Sequence, residues 1–174
     1  MCIRDSFGGA FDPVHKGHTL SLKFINDLKI VDEVHVIPNF ASPHDKNIQS
    51  SGSHRLKMLE MAFNEFENIK INEVELNNEK KSYSYETLNS FKQVYPDRHF
   101  SLIIGQDSLH NFATWKNWEG ILSLCSLLVL GRSLNQNKKL DRALESRITL
   151  DIDDFFSEHG NCLLYTSPSP RDDR

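Results

Sequence analysis

The sequence predicts an α/β protein, a single domain built on a Rossmann-like, doubly wound parallel sheet. Two observations carry this. Segments of strand period and helix period alternate along the chain, which implies parallel strands joined by helices on both faces of the sheet. The unusual residue groupings fall just after strand segments, at the carboxyl edge where such sheets bind ligands. A length of 174 residues is enough for one buried core.

The elements follow in order. A first strand is expected to lead into "FGGAFDPVHKGH", Phe7 to His18. Asp12 before Pro13 offers a helix start, but Gly17 argues that the regular helix begins nearer His18. The helix "HTLSLKFINDLKI" puts Leu20, Phe24, Ile25 and Leu28 on one face. "VDEVHVIPN" alternates and stops at Pro38, as a strand does. Ser51 and Ser53 can cap a helix whose Leu56, Leu59, Phe63 and Phe66 face inward. "NIKINEVEL" reads as a strand and "YETLNSFKQVY" as a helix. "HFSLIIG" is a buried strand ending in glycine, followed by a short helix and a loop through Trp115 and Trp118. "SLLVLGR" is a second buried strand, "NKKLDRALES" a helix and "RITLDID" a strand.

Composition narrows the class. Hydrophobic residues make up 39% and charged residues 25%, ordinary for a soluble globular protein. A net charge of -4 leaves no footprint for non-specific nucleic-acid binding. No apolar run is long enough to span a bilayer, so no membrane is expected as a partner. No secretory signal appears, and the cytoplasm is the expected compartment.

The two ends read differently from the middle. Met-Cys-Ile-Arg-Asp can be encoded by DNA whose reverse complement encodes Cys-Leu-Leu-Tyr-Thr, the residues at 162–166. The pair resembles a sequencing-library adaptor translated at both ends of a fragment. Native sequence is therefore expected from about Phe7 to about Gly160, residues 7–160 forming the domain. Residues 1–6 and 162–174 are expected to be non-native ends, with the first strand and a C-terminal subregion partly missing. Cys125 then remains, in an apolar run where a buried inert thiol is expected. No disulfide framework, zinc site or all-protein metal cage is expected.

Gly8 and Gly9 let the backbone approach a ligand closely, and the loop feeds a helix N-terminus. Free N–H groups and the helix dipole make that end a phosphate site. His15 and His18 add two donors whose charge responds near neutral pH. A carboxylate at Asp107, after the strand that ends at Gly105, can hold ribose hydroxyls or cap a helix. Trp115 offers a flat face for a ring, whereas Trp118, followed by Ile121 and Leu122, suits the core.

The combination "GGAFDPVHKGH" resembles the signature of the H-x-G-H nucleotidyltransferases, with Ala10 where threonine is usual. Three later stretches resemble one family, the nicotinate mononucleotide adenylyltransferases: "IPNFASPHDK", "SYSYETL" and "IIGQDSLHNFATWKNW". The resemblance implies transfer of AMP from ATP to nicotinate mononucleotide, giving nicotinate adenine dinucleotide and pyrophosphate. It implies His15 and His18 as catalytic residues on the triphosphate, and Gly8, Gly9, Ala10, Phe11, Gly17, Gly105 and Asp107 on ATP. It places Asn39, Lys46, Ser84, Trp115 and Lys116 at nicotinate mononucleotide, with Trp115 on the ring. The Lys116 N–H and the Ser84 hydroxyl would receive its carboxylate. Mg²⁺ is implied as a cofactor carried on the ATP phosphates. At the family's basic position after Pro-His stands Asp45, so that Lys46 serves only in a shifted loop. Nothing after Asp151 matches the family's closing phosphate-binding motif. An adenylyltransferase for nicotinamide mononucleotide or phosphopantetheine, and a non-catalytic nucleotide-binding fragment, are the alternatives. A class I aminoacyl-tRNA synthetase fragment is disfavoured by the lack of a second signature loop. The sequence does not speak to oligomeric state.

Overall fold

The computed structural model describes residues 3–41, 48–78, 81–131, 140–149, 151, 155 and 162–166. Among these, seven strands form one sheet in the order β3-β2-β1-β4-β5-β7-β6, every neighbouring pair parallel. The strands are β1 (Ile3–Gly9), β2 (Glu33–Pro38), β3 (Ile69–Ile71), β4 (His99–Gly105), β5 (Ser126–Gly131), β6 (Ile148–Thr149) and β7 (Cys162–Thr166). The helices are α1 (Lys16–Leu28), α2 (Gly52–Phe63), α3 (Ser84–Val94), α4 (Gln106–His110), α5 (Trp118–Leu124) and α6 (Arg142–Glu145). This is the doubly wound Rossmann-like arrangement expected. Chain order reverses between β1 and β4, which pair with Asp5 opposite Ser101, and that reversal opens a crevice beyond their carboxyl ends.

Each face of the sheet has its own core. One gathers Leu22 and Ile25 of α1, Leu59 and Phe63 of α2, and Val34, Val36 and Ile103 of the strands. The other gathers Leu88 of α3, Phe112, Ile121 and Leu122, with Phe100, Leu102 and Val129. β4 and β5 are buried along nearly their whole length, as strands covered on both faces must be. Cys125 is fully buried, and burial pushes its thiol far above the ordinary range, so the inert reading holds.

Several elements depart from expectation. α1 begins at Lys16, with Gly17 inside its first turn rather than before it. The strand expected across "NIKINEVEL" pairs only over Ile69–Ile71 before the chain turns. The inward stripe of α2 is Arg55, Leu59 and Phe63, spaced by four, while Leu56 is only partly buried. Both end segments also join the sheet: β1 pairs with β2 over Arg4–Gly9 and with β4 over Ile3–Ser6, and Cys162–Thr166 forms β7 between β5 and β6, with Cys162 buried.

Candidate active site

The loop after β1 is shaped by Phe11, which takes a left-handed φ of 51° and is 2% exposed. Its ring packs edge-on against Phe7 and His18, with centroids 5.7 and 4.9 Å away. Phe11 is thus a wedge under the loop, with its side chain in the core. The Asp12–Pro13 peptide is cis. The Asp12 carboxylate accepts hydrogen bonds from the backbone N–H of Gln49 and of Ser50. The Ser50 hydroxyl first, then these N–H groups, hold its carboxyl below the ordinary range.

His15 caps α1 and His18 stands in its first turn, and the two imidazoles stack with centroids 3.7 Å apart. The His15 N–H donates to His18 Nδ1 at 3.3 Å. An accepting Nδ1 carries no proton, so the proton of a neutral His18 sits on Nε2, which is a donor. The histidine spacing therefore yields an oriented donor at a helix N-terminus.

Beyond the carboxyl ends of β1 and β4 lies a cavity of about 770 Å³. Its lining brings together Gly8, Gly9, Ala10, Asn39, Ser84, Asp107, Trp115 and Lys116, eight of the positions that the sequence singled out. A Cβ at Gly8 would have only the Ile37 carbonyl near it, at 4.0 Å, so the backbone there borders open space on the cavity side. Asp107 lies inside α4, after Gly105, which occupies the cap position; its carboxylate is exposed on the cavity and is not the helix cap. Trp115 is partly buried against Phe112, with centroids 5.2 Å apart, and still lines the cavity. Trp118 packs on the same apolar cluster as a core residue. Ser84 opens α3 on the cavity wall. The Lys116 ammonium sits 3.9 Å over the Tyr83 ring and 2.8 Å from the Glu86 carboxylate, which raises its pKa.

Phe11, His15, Gly17, His18 and Gly105 are not among the cavity's lining residues. Gly105 is exposed at the end of β4, with nothing within 4 Å of an added Cβ. Lys46 lies outside the described residues.

Two residues of the site escaped the sequence reading. Arg55, 2% exposed, donates from one guanidinium nitrogen to the Ala10 and Asn39 carbonyls, both at 2.7 Å. It ties the loop after β1 to the end of β2. Its signal was a charge spaced by four from Leu59 and Phe63 on the apolar stripe of a helix. Glu75 lies partly buried in the cavity wall and accepts from the Thr87 hydroxyl at 2.7 Å. Burial raises its pKa, and the Thr87 and Ser82 hydroxyls moderate the rise.

A parallel sheet with a glycine loop, a helix N-terminus and a cavity at its switch point defines a nucleotide-binding protein of nucleotidyltransferase type. The chain belongs to the cytidylyltransferase-like family, whose model matches residues 6–167. Its curated relatives carry the name "Probable nicotinate-nucleotide adenylyltransferase". The protein of Leptospira interrogans is 37% identical over 142 residues, covering 80% of this chain and 71% of the relative. That of Shewanella frigidimarina is 30% identical over 163 residues, covering 91% and 77%. That of Shewanella pealeana is 35% identical over 125 residues, but this match spans only 58% of the relative's length. Among solved structures, the nicotinic acid mononucleotide adenylyltransferase of Plasmodium falciparum complexed with NaAD superposes with a TM-score of 0.72 at 21% identity, covering 97% of this chain and 77% of that one. At that identity the likeness speaks for the fold. Among the described residues, no helix is long and apolar enough to cross a membrane.

Proposed function

We propose that this nucleotidyltransferase carries out the reaction of its curated relatives, transferring AMP from ATP to nicotinate mononucleotide in the synthesis of nicotinate adenine dinucleotide. The observation that supports this most directly is the convergence of Gly8–Ala10, Asp107, Asn39, Ser84, Trp115 and Lys116 on one cavity at the sheet's switch point. Two mononucleotides joined through a diphosphate need adjacent subsites, and the cavity offers a glycine-lined side and a tryptophan-lined side.

In this reading the 5′-phosphate oxygen of nicotinate mononucleotide attacks the α-phosphorus of ATP. The new P–O bond forms as the bond to the β-phosphate oxygen breaks, and pyrophosphate leaves with the electron pair. The attacking phosphate is already anionic, so positioning and charge stabilisation suffice. His15 and His18 hold the triphosphate, with His18 Nε2 as the protonated ring nitrogen when Nδ1 accepts from the His15 N–H. Asp107 takes the ATP ribose hydroxyls, and Trp115 stacks on the pyridine ring. Phe11, Gly17 and Gly105 support the ATP side through backbone shape, and Lys46 is assigned to the phosphate of the mononucleotide. Mg²⁺ bound through ATP phosphates would neutralise charge while keeping mostly water ligands. Among the described residues, no group of three His, Cys, Asp or Glu side chains gathers for a metal. The cytoplasm, expected from the sequence, belongs to the same proposal.

The ring substituent decides the substrate. Lys116 N–H and the Ser84 hydroxyl are donors, which suit an acceptor-only carboxylate. An amide would turn its NH₂ toward one of them, and an unpaired buried polar group costs about 1–3 kcal/mol. The test is kcat/KM with nicotinate and nicotinamide mononucleotides. At least tenfold preference for nicotinate is expected, and equal efficiency would overturn the carboxylate pocket.

A further inference from the structure

Glu75 is an acid in the wall of a cavity assigned to an anionic substrate. Its Oε1 accepts from Thr87 Oγ1 at 2.7 Å, and the Ser82 hydroxyl also bonds the carboxylate. Ser82 and Thr87 flank Ser84, so one carboxyl holds both sides of the segment that brings Ser84 to the cavity. The other ionisable groups on the cavity wall are Asp107 of α4, Tyr83 before α3 and Lys116 after Trp115, whose ammonium is paired with Glu86. No described cation on that wall pairs with Glu75 in the way that Glu86 pairs with Lys116.

We propose that Glu75 is a specificity-determining residue of the pyridine end: it positions the Ser82–Thr87 segment, and its charge opposes an anionic ring substituent but not a neutral amide. The proposal rests on the reading that the cavity takes a pyridine mononucleotide. Neutral Glu75 leaves the Ser84 and Lys116 donors unopposed. Ionised Glu75 sets a like charge in the same wall, where reduced screening makes it felt. Burial holds the Glu75 pKa above the ordinary carboxylate range, so this change falls above the acid range of a free side chain. Preference for nicotinate over nicotinamide should then be greatest at low pH and decline as Glu75 ionises.

The experiment is titration of the full chain with nicotinate mononucleotide, nicotinamide mononucleotide and ATP from about pH 5 to about pH 9. The phosphate is common to both mononucleotides, so its titration cancels in the ratio of their dissociation constants. The wild-type ratio is expected to fall several-fold from the acid to the alkaline end as Glu75 ionises, since a like charge in the same wall opposes only the anionic substituent. In Glu75→Gln, the amide oxygen still accepts from Thr87 but carries no charge, and the ratio should stay high and flat. Glu75→Ala should weaken both mononucleotides several-fold and leave ATP unchanged. Parallel wild-type and Glu75→Gln profiles would overturn the charge argument. An equal loss of ATP affinity in Glu75→Ala would overturn the positioning role. If the folded wild type binds ATP but neither mononucleotide, the substrate reading itself falls and this proposal with it.

Discussion

The two halves of β1 treat polar groups in opposite ways. In the first half, Asp5 is 1% exposed, and neither of its carboxylate oxygens has a hydrogen-bond partner of good geometry. Burial drives its pKa up to about 8, and the nearby Ser101 hydroxyl only moderates the rise. In the second half, Gly8 and Gly9 present backbone to a cavity, where polar groups gain a ligand to bond. One strand thus carries a polar group that the fold strains to accommodate and a polar edge that the fold exposes for use. The difference lies in depth within the sheet, since strand propensity is served equally by both.

This contrast predicts that substitutions in the first half change stability and those toward the cavity change chemistry. The largest effect is expected at Asp5. At neutral pH the folded protein holds Asp5 protonated while the unfolded chain ionises it, a cost on the order of 4 kcal/mol. A raised carboxyl pKa means that stability present below the unfolded value, near pH 4, is lost progressively as pH rises toward 8. Asp5→Val should therefore be more stable than wild type in urea unfolding. The gain should grow between about pH 4 and pH 8 and level off above that, while ATP affinity stays unchanged. A gain independent of pH would place its cause elsewhere.

His18→Ala comes next. A donor aimed at charge that develops in the transition state acts on turnover, so kcat should fall by on the order of 10²–10³ with a smaller change in ATP affinity. Full turnover in the folded variant would remove His18 from the mechanism. Trp115→Ala should weaken both mononucleotides roughly tenfold and leave the choice between them intact, because stacking reads the ring face and not its substituent. A change in the nicotinate-to-nicotinamide ratio as large as the loss of affinity would argue against that division. The smallest effects sharpen the comparison within one dipeptide. A Cβ at Gly9 would lie 3.3 Å from the buried Phe11 ring, so Gly9→Ala should cost about 1 kcal/mol of stability. Gly8→Ala has room and should leave the melting temperature nearly unchanged while weakening nucleotide binding.

Much of the architecture was legible because it rests on local period. β4 matched its expected run, and β2, α3 and the buried β5 differed only at their ends. The short strands β3 and β6 fall where strands were expected, but β3 pairs over only part of its expected run, because its extent is set by pairing with β2 and not by its own alternation. At the site, the motif residues could be found because their chemistry is unusual for their surroundings in sequence. Glu75 could not, since an acid in "NEVELNNEK" looks like any solvated charge until the chain folds it against Thr87.

By itself, then, the sequence determined the alternation of elements, the glycine loop with its paired histidines, and the candidate residues on the ring and ribose sides. These are properties of neighbours along the chain, where period and side-chain chemistry act directly. Only the tertiary structure decided that eight of those residues share one cavity and that Phe11 wedges the loop from below. It also decided that Arg55 clamps two loops and that the Asp5 carboxylate is buried in the core with no well-formed hydrogen bond among the described residues. Each of these depends on segments far apart in sequence being brought into contact. The free energy of a buried charge or an unfilled hydrogen bond is set by that contact and not by the residue's place in the chain.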